Sequence, residues 1–272
     1  MPGAAARSDP PRMPVLFVGH GSPLNAIEDN PWSRAPRALG AALAARIGKP
    51  RAVLAISAHW FTRGTWLTGE LRPRTIHDFS GFPEELERVE YPAPGDPALA
   101  SHVARLLGRD ERALRTDWGL DHGTWCVLTH LLPEADVPVV QLSVDAELPG
   151  PAHLALGGLL APLRDQGVLI LGSGNVTHNL PDASRRMRSG DTSSAAWAVR
   201  FDDEAARAIE RRDGALLASA SDSELGRMAH PTPDHWLPLL YAFGASHEDD
   251  AVSFPVEGFD LGALSMRAVQ WG

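Results

Sequence analysis

Short apolar runs rich in β-branched residues recur along the chain, each flanked by glycine, proline or polar turn residues. Their length and flanks favour strands over helices, and their near-continuous apolarity indicates strands that are covered on both faces. The predicted strands are 14–18, 52–57, 138–144, 168–171 and 251–256. A last run, 263–270, alternates less cleanly and is predicted as an edge strand.

Helix-like stretches separate these runs. They cover 35–47, 97–107, 151–164 and 196–211. Strands that alternate with helices predict a three-layer α/β/α sandwich, and no linker divides the chain. We therefore expect a loose tail over 1–12 and one catalytic domain over 13–272. The segments 69–97 and 180–195 look irregular, as lids and pocket walls often do.

Composition narrows the possible partners. The 272 residues carry a formal charge of −9 without a basic cluster, which argues against nucleic acid and against anionic membranes. No run reaches the roughly 18 apolar residues of a membrane span, and 1–12 has no apolar signal core, so we expect a cytoplasmic protein. The single cysteine, Cys126, excludes an internal disulfide and a thiolate cluster. Composition leaves the oligomeric state open.

Four of the eleven histidines suggest a metal site. His20, His59 and His178 each follow an apolar run and a turn of small residues, and His235 lies in a proline-rich segment. The carboxyl ends of strands in an open α/β sheet are where ligand sites form. Neutral imidazole is a good ligand for iron(II) and zinc. The alternative for each residue is an ordinary core or surface histidine.

Two further histidines allow two interpretations each. His122 follows Asp121 in the sequence DHG, where the aspartate can simply cap a helix or the imidazole can point into the site. His77 can line a pocket together with Phe79 and Phe82, or it can pack within its own loop.

With these histidines and the motifs around them, the chain resembles the class III extradiol dioxygenases, specifically the 4,5-DOPA extradiol dioxygenase-like family. The resemblance runs in order over nearly the whole chain. It is carried by GHGSPLNAIEDN (19–30), SAHWFTRGT (57–65), TIHDFSGFP (75–83), YPAPG (91–95), WGLDHGTWCVL (118–128), VPVVQLSVD (137–145), SGNVTHNL (173–180), PTPDHWLPLLYAFGA (231–245) and PVEG (255–258).

The resemblance implies a mixed, mostly parallel central sheet and a non-haem iron(II) enzyme that opens a catechol ring with O2. Carried over by position, it implies that His20, His59 and His235 are metal ligands. It makes His178 either a further ligand or the base that takes a catechol proton, and it places His122 near substrate and oxygen. The wider class generally has a glutamate where this chain has His235. An all-histidine site also suits Zn(II), which binds more tightly than iron(II).

Large aromatic side chains beside these motifs could form walls for a flat ring. We predict substrate contacts from His77, Trp60, Trp125 and Trp236. Two other functions stay open at this stage. They are a zinc-dependent hydrolase, since zinc generates hydroxide near pH 7, and a non-enzymatic binding protein on the same scaffold, since fold does not fix function.

Overall fold

The computed structural model describes residues 12–272, so the predicted tail at 1–12 lies, apart from its last residue, outside the described residues. Between residues 12 and 272 the chain forms ten strands. They are β1 (Val15–Gly19), β2 (Ala52–Thr62), β3 (Leu67–Thr68), β4 (Leu114–Arg115), β5 (Val139–Asp145), β6 (Val168–Gly174), β7 (Val252–Val256), β8 (Phe259–Asp260), β9 (Leu264–Ser265) and β10 (Ala268–Trp271).

Ten α-helices lie in the same described range. They are α1 (Pro31–Ile47), α2 (Glu84–Glu87), α3 (Pro97–Leu106), α4 (His122–Leu131), α5 (Gly150–Leu160), α6 (Leu180–Ser189), α7 (Ala196–Glu210), α8 (Gly214–Ser219), α9 (Glu224–Ala229) and α10 (Leu237–Ala245). Among residues 12–272, no helix combines the length and the apolar character needed to cross a membrane.

Eight of the strands form one sheet in the order β4-β3-β5-β2-β6-β1-β10-β7. Its centre is parallel, since β2 pairs with both β5 and β6, and β6 pairs with β1. At one side of the sheet, β10 pairs antiparallel with both β1 and β7. The prediction of a mixed, mostly parallel sheet is confirmed. The prediction of an edge strand at 263–270 is wrong, because β10 lies between β1 and β7 and the edge is β7.

Helices cover both faces of this sheet. In β1, Val15 and Phe17 pack into one apolar cluster with residues of α3, α5 and α10, whereas Leu16 and Val18 pack into another with residues of α1 and α4. Side chains alternate between the faces of a strand, so a strand that is apolar at every position requires cover on both sides. The predicted three-layer α/β/α sandwich is confirmed.

The segment predicted to be irregular at 180–195 contains helix α6. The side chain of Asn179 caps it by accepting a hydrogen bond from the backbone N–H of Asp182, and Gly190 ends it in the left-handed conformation. Asp182 also pairs with Arg185 and Arg186 one turn further on. The prediction missed this helix because its sequence is polar and short, and its caps and ion pairs, rather than an apolar stripe, define it.

Candidate metal centre

Five histidines converge at the carboxyl edge of the sheet. His20 directly follows β1, His59 lies near the end of β2, and His178 follows β6. His122 is the first residue of α4, and His235 ends a short 3-10 helix ahead of α10. Neighbouring imidazole centroids are 3.4 to 5.7 Å apart. Segments that are distant in sequence therefore form one cluster.

His59 differs in placement from the sequence prediction. It lies inside β2, which continues to Thr62, and does not follow the strand. The pairing of β2 with β5 shifts register between Ile56 and Phe61. Such irregularities re-aim a side chain next to a functional site, and here the shift spans the histidine.

One pair of imidazoles brings two ring nitrogens close together. His20 Nε2 and His59 Nε2 lie 3.2 Å apart. His20 Nδ1 lies 3.0 Å from Ser173 Oγ, and that hydroxyl donates its one proton to the carbonyl of Gly123. His20 Nδ1 must therefore be the donor to Ser173, and the neutral ring carries its lone pair on Nε2.

The same reasoning applies to His59. Its Nδ1 lies 3.2 Å from Asp78 Oδ2, which accepts a hydrogen bond from the Nδ1–H and so leaves the lone pair of the neutral ring on Nε2. Two neutral rings would thus turn lone pairs toward each other. Burial lowers the pKa of His59, but Asp78 and the nearby charge of Asp121 outweigh burial and raise it. A cation, either a proton or a metal ion, is needed between the rings.

A metal ion fits this gap. With metal–nitrogen bonds of about 2.0–2.1 Å, neighbouring ligand nitrogens are separated by about 3.0–3.4 Å, which includes the 3.2 Å between His20 Nε2 and His59 Nε2. Histidines that bind metals usually donate their other N–H to a carboxylate or another oxygen. Ser173 and Asp78 provide those acceptors.

His235 offers a third nitrogen. Its Nδ1 lies 2.5 Å from Asp234 Oδ2, whereas its Nε2 is buried without any partner. Its ring centroid lies 5.1 Å from that of His20 and 5.0 Å from that of His59. Burial lowers the pKa of His235 well below its usual value, so the ring is neutral and able to bind a metal.

His122 lies closer to the pair than the sequence suggested. Its ligand nitrogen and those of His20 and His59 all lie within 4.8 Å of one another, a set that does not include His235. His122 Nδ1 also lies 2.9 Å from Asp78 Oδ1, but without the geometry of a hydrogen bond. Two imidazoles, His122 and His235, thus compete for the third ligand position.

His178 lies beside the cluster in a different orientation. Its ring stacks on that of His235 with centroids 3.4 Å apart and planes 4° from parallel. The lone pair of an imidazole lies in its ring plane, so the two stacked rings direct their lone pairs into parallel planes and not toward one common point. Burial, followed by the charge of His230, lowers the pKa of His178 to about 3. Its ring is neutral at pH 7 and can accept a proton.

The cluster forms one end of a cavity of about 880 Å³, and all five histidines line it. This volume lies in the range of small-molecule sites. Its aromatic wall consists of Trp32, Phe79 and Phe82. Helix α6, which the sequence did not predict, contributes Leu180, Pro181 and Met187 to the same wall.

Comparison with known proteins identifies the family of the chain. Residues 14–263 match the family described as the catalytic LigB subunit of aromatic ring-opening dioxygenase. The chain belongs to this family. It is similar to a protein of Escherichia coli K12 named 4,5-DOPA dioxygenase extradiol, with 45% identity covering 96% of this chain and 95% of the relative. A Beta vulgaris protein of the same name is 37% identical and covers 92% and 93%.

A solved structure supports the same assignment for the fold. The crystal structure of an uncharacterized protein from Escherichia coli K12 has a TM-score of 0.78 and 39% identity, covering 96% of this chain and all of that one. This LigB-family chain is therefore an extradiol dioxygenase enzyme, and its histidine cluster is able to bind a metal ion.

The aromatic residues predicted to contact substrate do not line the main cavity of this LigB-family enzyme. Trp125 and Trp236 are buried, and their Nε1 atoms donate to the carbonyls of Ile76 and Leu217. Trp60 stacks on Trp118, away from this cavity.

His77 also stands behind the cavity wall. Its Nε2 lies 2.9 Å from the carbonyl oxygen of Val89, and its ring lies edge-on to Phe79. This placement matches packing within its loop, whereas Phe79 and Phe82 line the cavity. The Trp and His77 contacts with substrate stay untested predictions.

The sequence analysis missed the oxygen partners of the histidines. Asp78 is the most important, since its two oxygens lie within 3.2 Å of His59 and 2.9 Å of His122. Burial raises the pKa of Asp78, but the adjacent His122 and His59 outweigh burial and hold it well below its usual range. A usable signal existed in the sequence, because an aspartate directly follows His77 in a motif rich in pocket residues.

Replacing Asp78 tests this dual contact. Asp78→Asn should weaken metal binding about 10- to 100-fold, since carboxylates that orient ligand histidines contribute on that scale. Competition with a chromophoric chelator measures the affinity. Asp117→Asn, which removes an exposed carboxylate paired with Arg115, is the matched control. Equal affinities for the two variants would contradict the assigned role.

Gly123 leaves room for the histidine pair. A Cβ atom here would lie 2.5 Å from Ser57 Oγ and 2.9 Å from His59 Cδ2. Gly123→Ala should therefore displace His59, lower the metal content, and cost roughly 1–3 kcal/mol of stability as overpacking does.

The control is Gly158→Ala, since the nearest atom to that Cβ, Gly244 O, is 3.7 Å away. In helix α5 this change should gain roughly 0.5–1 kcal/mol and leave the metal content intact. Urea unfolding and metal analysis measure both effects. A Gly123→Ala protein with full metal content would show that His59 has more space than the structure gives it.

Proposed function

We propose that this enzyme uses iron(II) to open the ring of a catechol with O2, with His20, His59 and His235 as the metal ligands. The observation that carries the proposal is the 3.2 Å approach of two Nε2 atoms whose Nδ1 atoms are both engaged by oxygen. His235 adds a buried Nε2 without a partner on the wall of the same cavity.

His235 is preferred to His122 as the third ligand for two reasons. Its Nδ1 is held by Asp234 in a short hydrogen bond, the usual support of a ligand histidine. Its Nε2 has no other partner, and a buried polar atom without a partner is costly unless something binds it. His122 instead is free to serve the substrate and oxygen.

Iron(II) would supply the electron transfer that allows a catechol to react with dioxygen. The side chains of the protein transfer protons, donate hydrogen bonds and exclude water. His178, neutral at pH 7, accepts a proton from one catechol hydroxyl. His122 donates a hydrogen bond to the reacting oxygen atoms, and His178 can return the proton that it accepted. Phe79 and Phe82 pack against the ring and exclude water from it.

The substrate class follows from the relatives and the cavity. The Escherichia coli and Beta vulgaris relatives are both named 4,5-DOPA dioxygenase extradiol, and DOPA is a catechol with a side chain. A cavity of about 880 Å³ accommodates such a molecule. Zinc can occupy the same nitrogen ligands and, because it binds more tightly, can copurify without supporting the reaction.

Anaerobic reconstitution tests the proposal. The metal-free protein is loaded with iron(II), mixed with catechols in air-saturated buffer, and followed by oxygen consumption and by the absorbance of the yellow ring-opened product. We expect one O2 consumed per catechol with iron(II) and none with zinc. A protein that binds iron(II) fully and consumes no oxygen with any catechol would overturn the proposal.

No observation favours the other functions considered from the sequence. Membership of an aromatic ring-opening dioxygenase family points away from a hydrolase and from a non-enzymatic binding protein. Zinc-loaded protein tested on aryl esters provides the direct comparison, and ester hydrolysis together with inactivity on catechols would favour the hydrolase.

A further inference from the structure

The charges on the cavity wall are one-sided. Among residues 12–272, the residues that line the cavity include no lysine and no arginine, whereas Glu28, Asp234 and Asp260 are all present. Asp234 is engaged by His235. Glu28 and Asp260 are left, and neither forms a salt bridge with a residue of the described chain. The cavity therefore offers negative charge to a ligand and no cationic side chain for an anion.

The two carboxylates are more exposed than the buried histidines. Glu28 is exposed in the turn before α1, and Asp260 is half-buried in β8. Leu180 and Met187 on the same wall are 51% and 59% exposed, which marks this part as the mouth. His20 and His235, at 5% and 4% exposed, mark the closed end.

Glu28 and Asp260 line the same cavity and carry the same charge. Burial raises the pKa of Asp260, a backbone hydrogen bond from Leu261 opposes this, and the charge of Glu28 raises it further. Glu28 accepts a hydrogen bond of 3.2 Å from Asn30 Nδ2, which is neutral. Two neighbouring carboxylates without a counter-ion favour a cation between them.

The proposed function fixes the orientation of a substrate in this cavity, because His235 and the other proposed metal ligands lie at its closed end. If the diol end of a catechol occupies the histidine end, as the proposed function requires, the side chain of the ring extends toward the mouth. It then reaches the region of Glu28, Asp260 and Trp32. Carboxylates beside an aromatic face are a typical environment for an ammonium group.

We infer that the enzyme selects catechols whose side chain ends in a protonated amine, and that Glu28 and Asp260 bind this amine. The inference rests on the proposed function and makes it more specific. The net charge of −9 acts in the same direction by attracting cations and repelling anions. DOPA carries both an amine and a carboxylate, so it should be a poorer substrate than an aminoalkyl catechol without the carboxylate.

A series of matched catechols tests the inference. Dopamine, DOPA, 4-ethylcatechol and 3,4-dihydroxyphenylpropionate differ mainly in the charge of the side chain. We expect kcat/KM to fall in that order, with about a tenfold or larger difference between dopamine and the propionate. Equal values for these two substrates would overturn the inference.

Substitutions locate the effect. In Glu28→Gln/Asp260→Asn, the preference for dopamine over the propionate should fall about tenfold, because the amine loses its carboxylates. Glu210→Gln removes one exposed charge at the end of α7, outside the cavity wall, and should keep the preference. An unchanged preference in the double variant, or an equal fall in Glu210→Gln, would show that these two carboxylates do not bind the amine.

Measurements of ligand binding test this inference separately from the proposed function. Calorimetric titration of the zinc-loaded protein with dopamine and with the propionate requires no turnover. Tighter binding of dopamine that is lost in the double variant would support the inference, whether or not any catechol is oxidised. A lack of catechol oxidation would overturn only the dioxygenase proposal. Equal affinities would overturn the inference even if catechols are oxidised.

Discussion

His20→Ala and His59→Ala should each leave the protein with less than about a tenth of the wild-type metal content and with no measurable oxygen uptake. The two Nε2 atoms are 3.2 Å apart and face each other, so removing either leaves a pair of ligands where catalytic sites need about three. Metal analysis after loading with one equivalent and desalting measures the loss.

The same experiment decides the third ligand. His235→Ala should lose metal as His20→Ala does, whereas His122→Ala should retain it and lose turnover. The opposite result would assign the third position to His122, which belongs to the tightest nitrogen triad. His102→Ala, on helix α3 and away from the cluster, controls for the loss of a histidine as such and should keep full metal content.

His178→Gln should keep the metal and lower kcat by about 10²–10⁴-fold, the usual contribution of a general base. Its ring stacks in parallel on that of His235, so the lone pairs of the two rings do not point toward one common point. Its ring is neutral at pH 7, as a proton acceptor must be. Single-turnover kinetics with the iron(II) protein separate the chemical step from substrate binding.

Metal analysis of His178→Gln distinguishes a base from a ligand. A variant that loses its metal would show that His178 coordinates it and that the stacked ring rotates on binding. His230→Gln is a useful companion, because His230 is buried nearby, bonds to the carbonyl of Val176 and does not line the cavity. It should affect stability more than the chemical step.

Much of the fold could be predicted because the sheet is covered on both sides. The central strands are mostly apolar runs, interrupted in β5 by Gln141 and Ser143, and their length and flanking residues identify them as strands. Strands β3 and β4 have two residues each, too few for any pattern. Helix α6 was missed because its stability comes from a cap and from ion pairs with Asp182.

The histidines of the site could be predicted where the local sequence around them shows a strand followed by a turn. His20 and His178 follow strands, and that position places them at one edge of the sheet. The partners of the histidines were not predictable in the same way. Asp78 approaches two rings from a loop, and Ser173 orients His20 across 153 positions of sequence. Trp125 and Trp236 lie beside the histidine motifs in sequence and were therefore predicted to contact substrate, but both are buried structural residues.

The spacing of the proposed ligands ties the stability of the enzyme to its metal supply. His20 and His59 are 39 positions apart, and His235 is far beyond both. An unfolded chain therefore presents isolated imidazoles and binds metal weakly, so nearly all of the binding free energy favours the native state. Each tenfold excess of free metal over its dissociation constant should add about 1.4 kcal/mol to the free energy of unfolding. Metal scarcity would then shorten the lifetime of the protein as well as stop its chemistry.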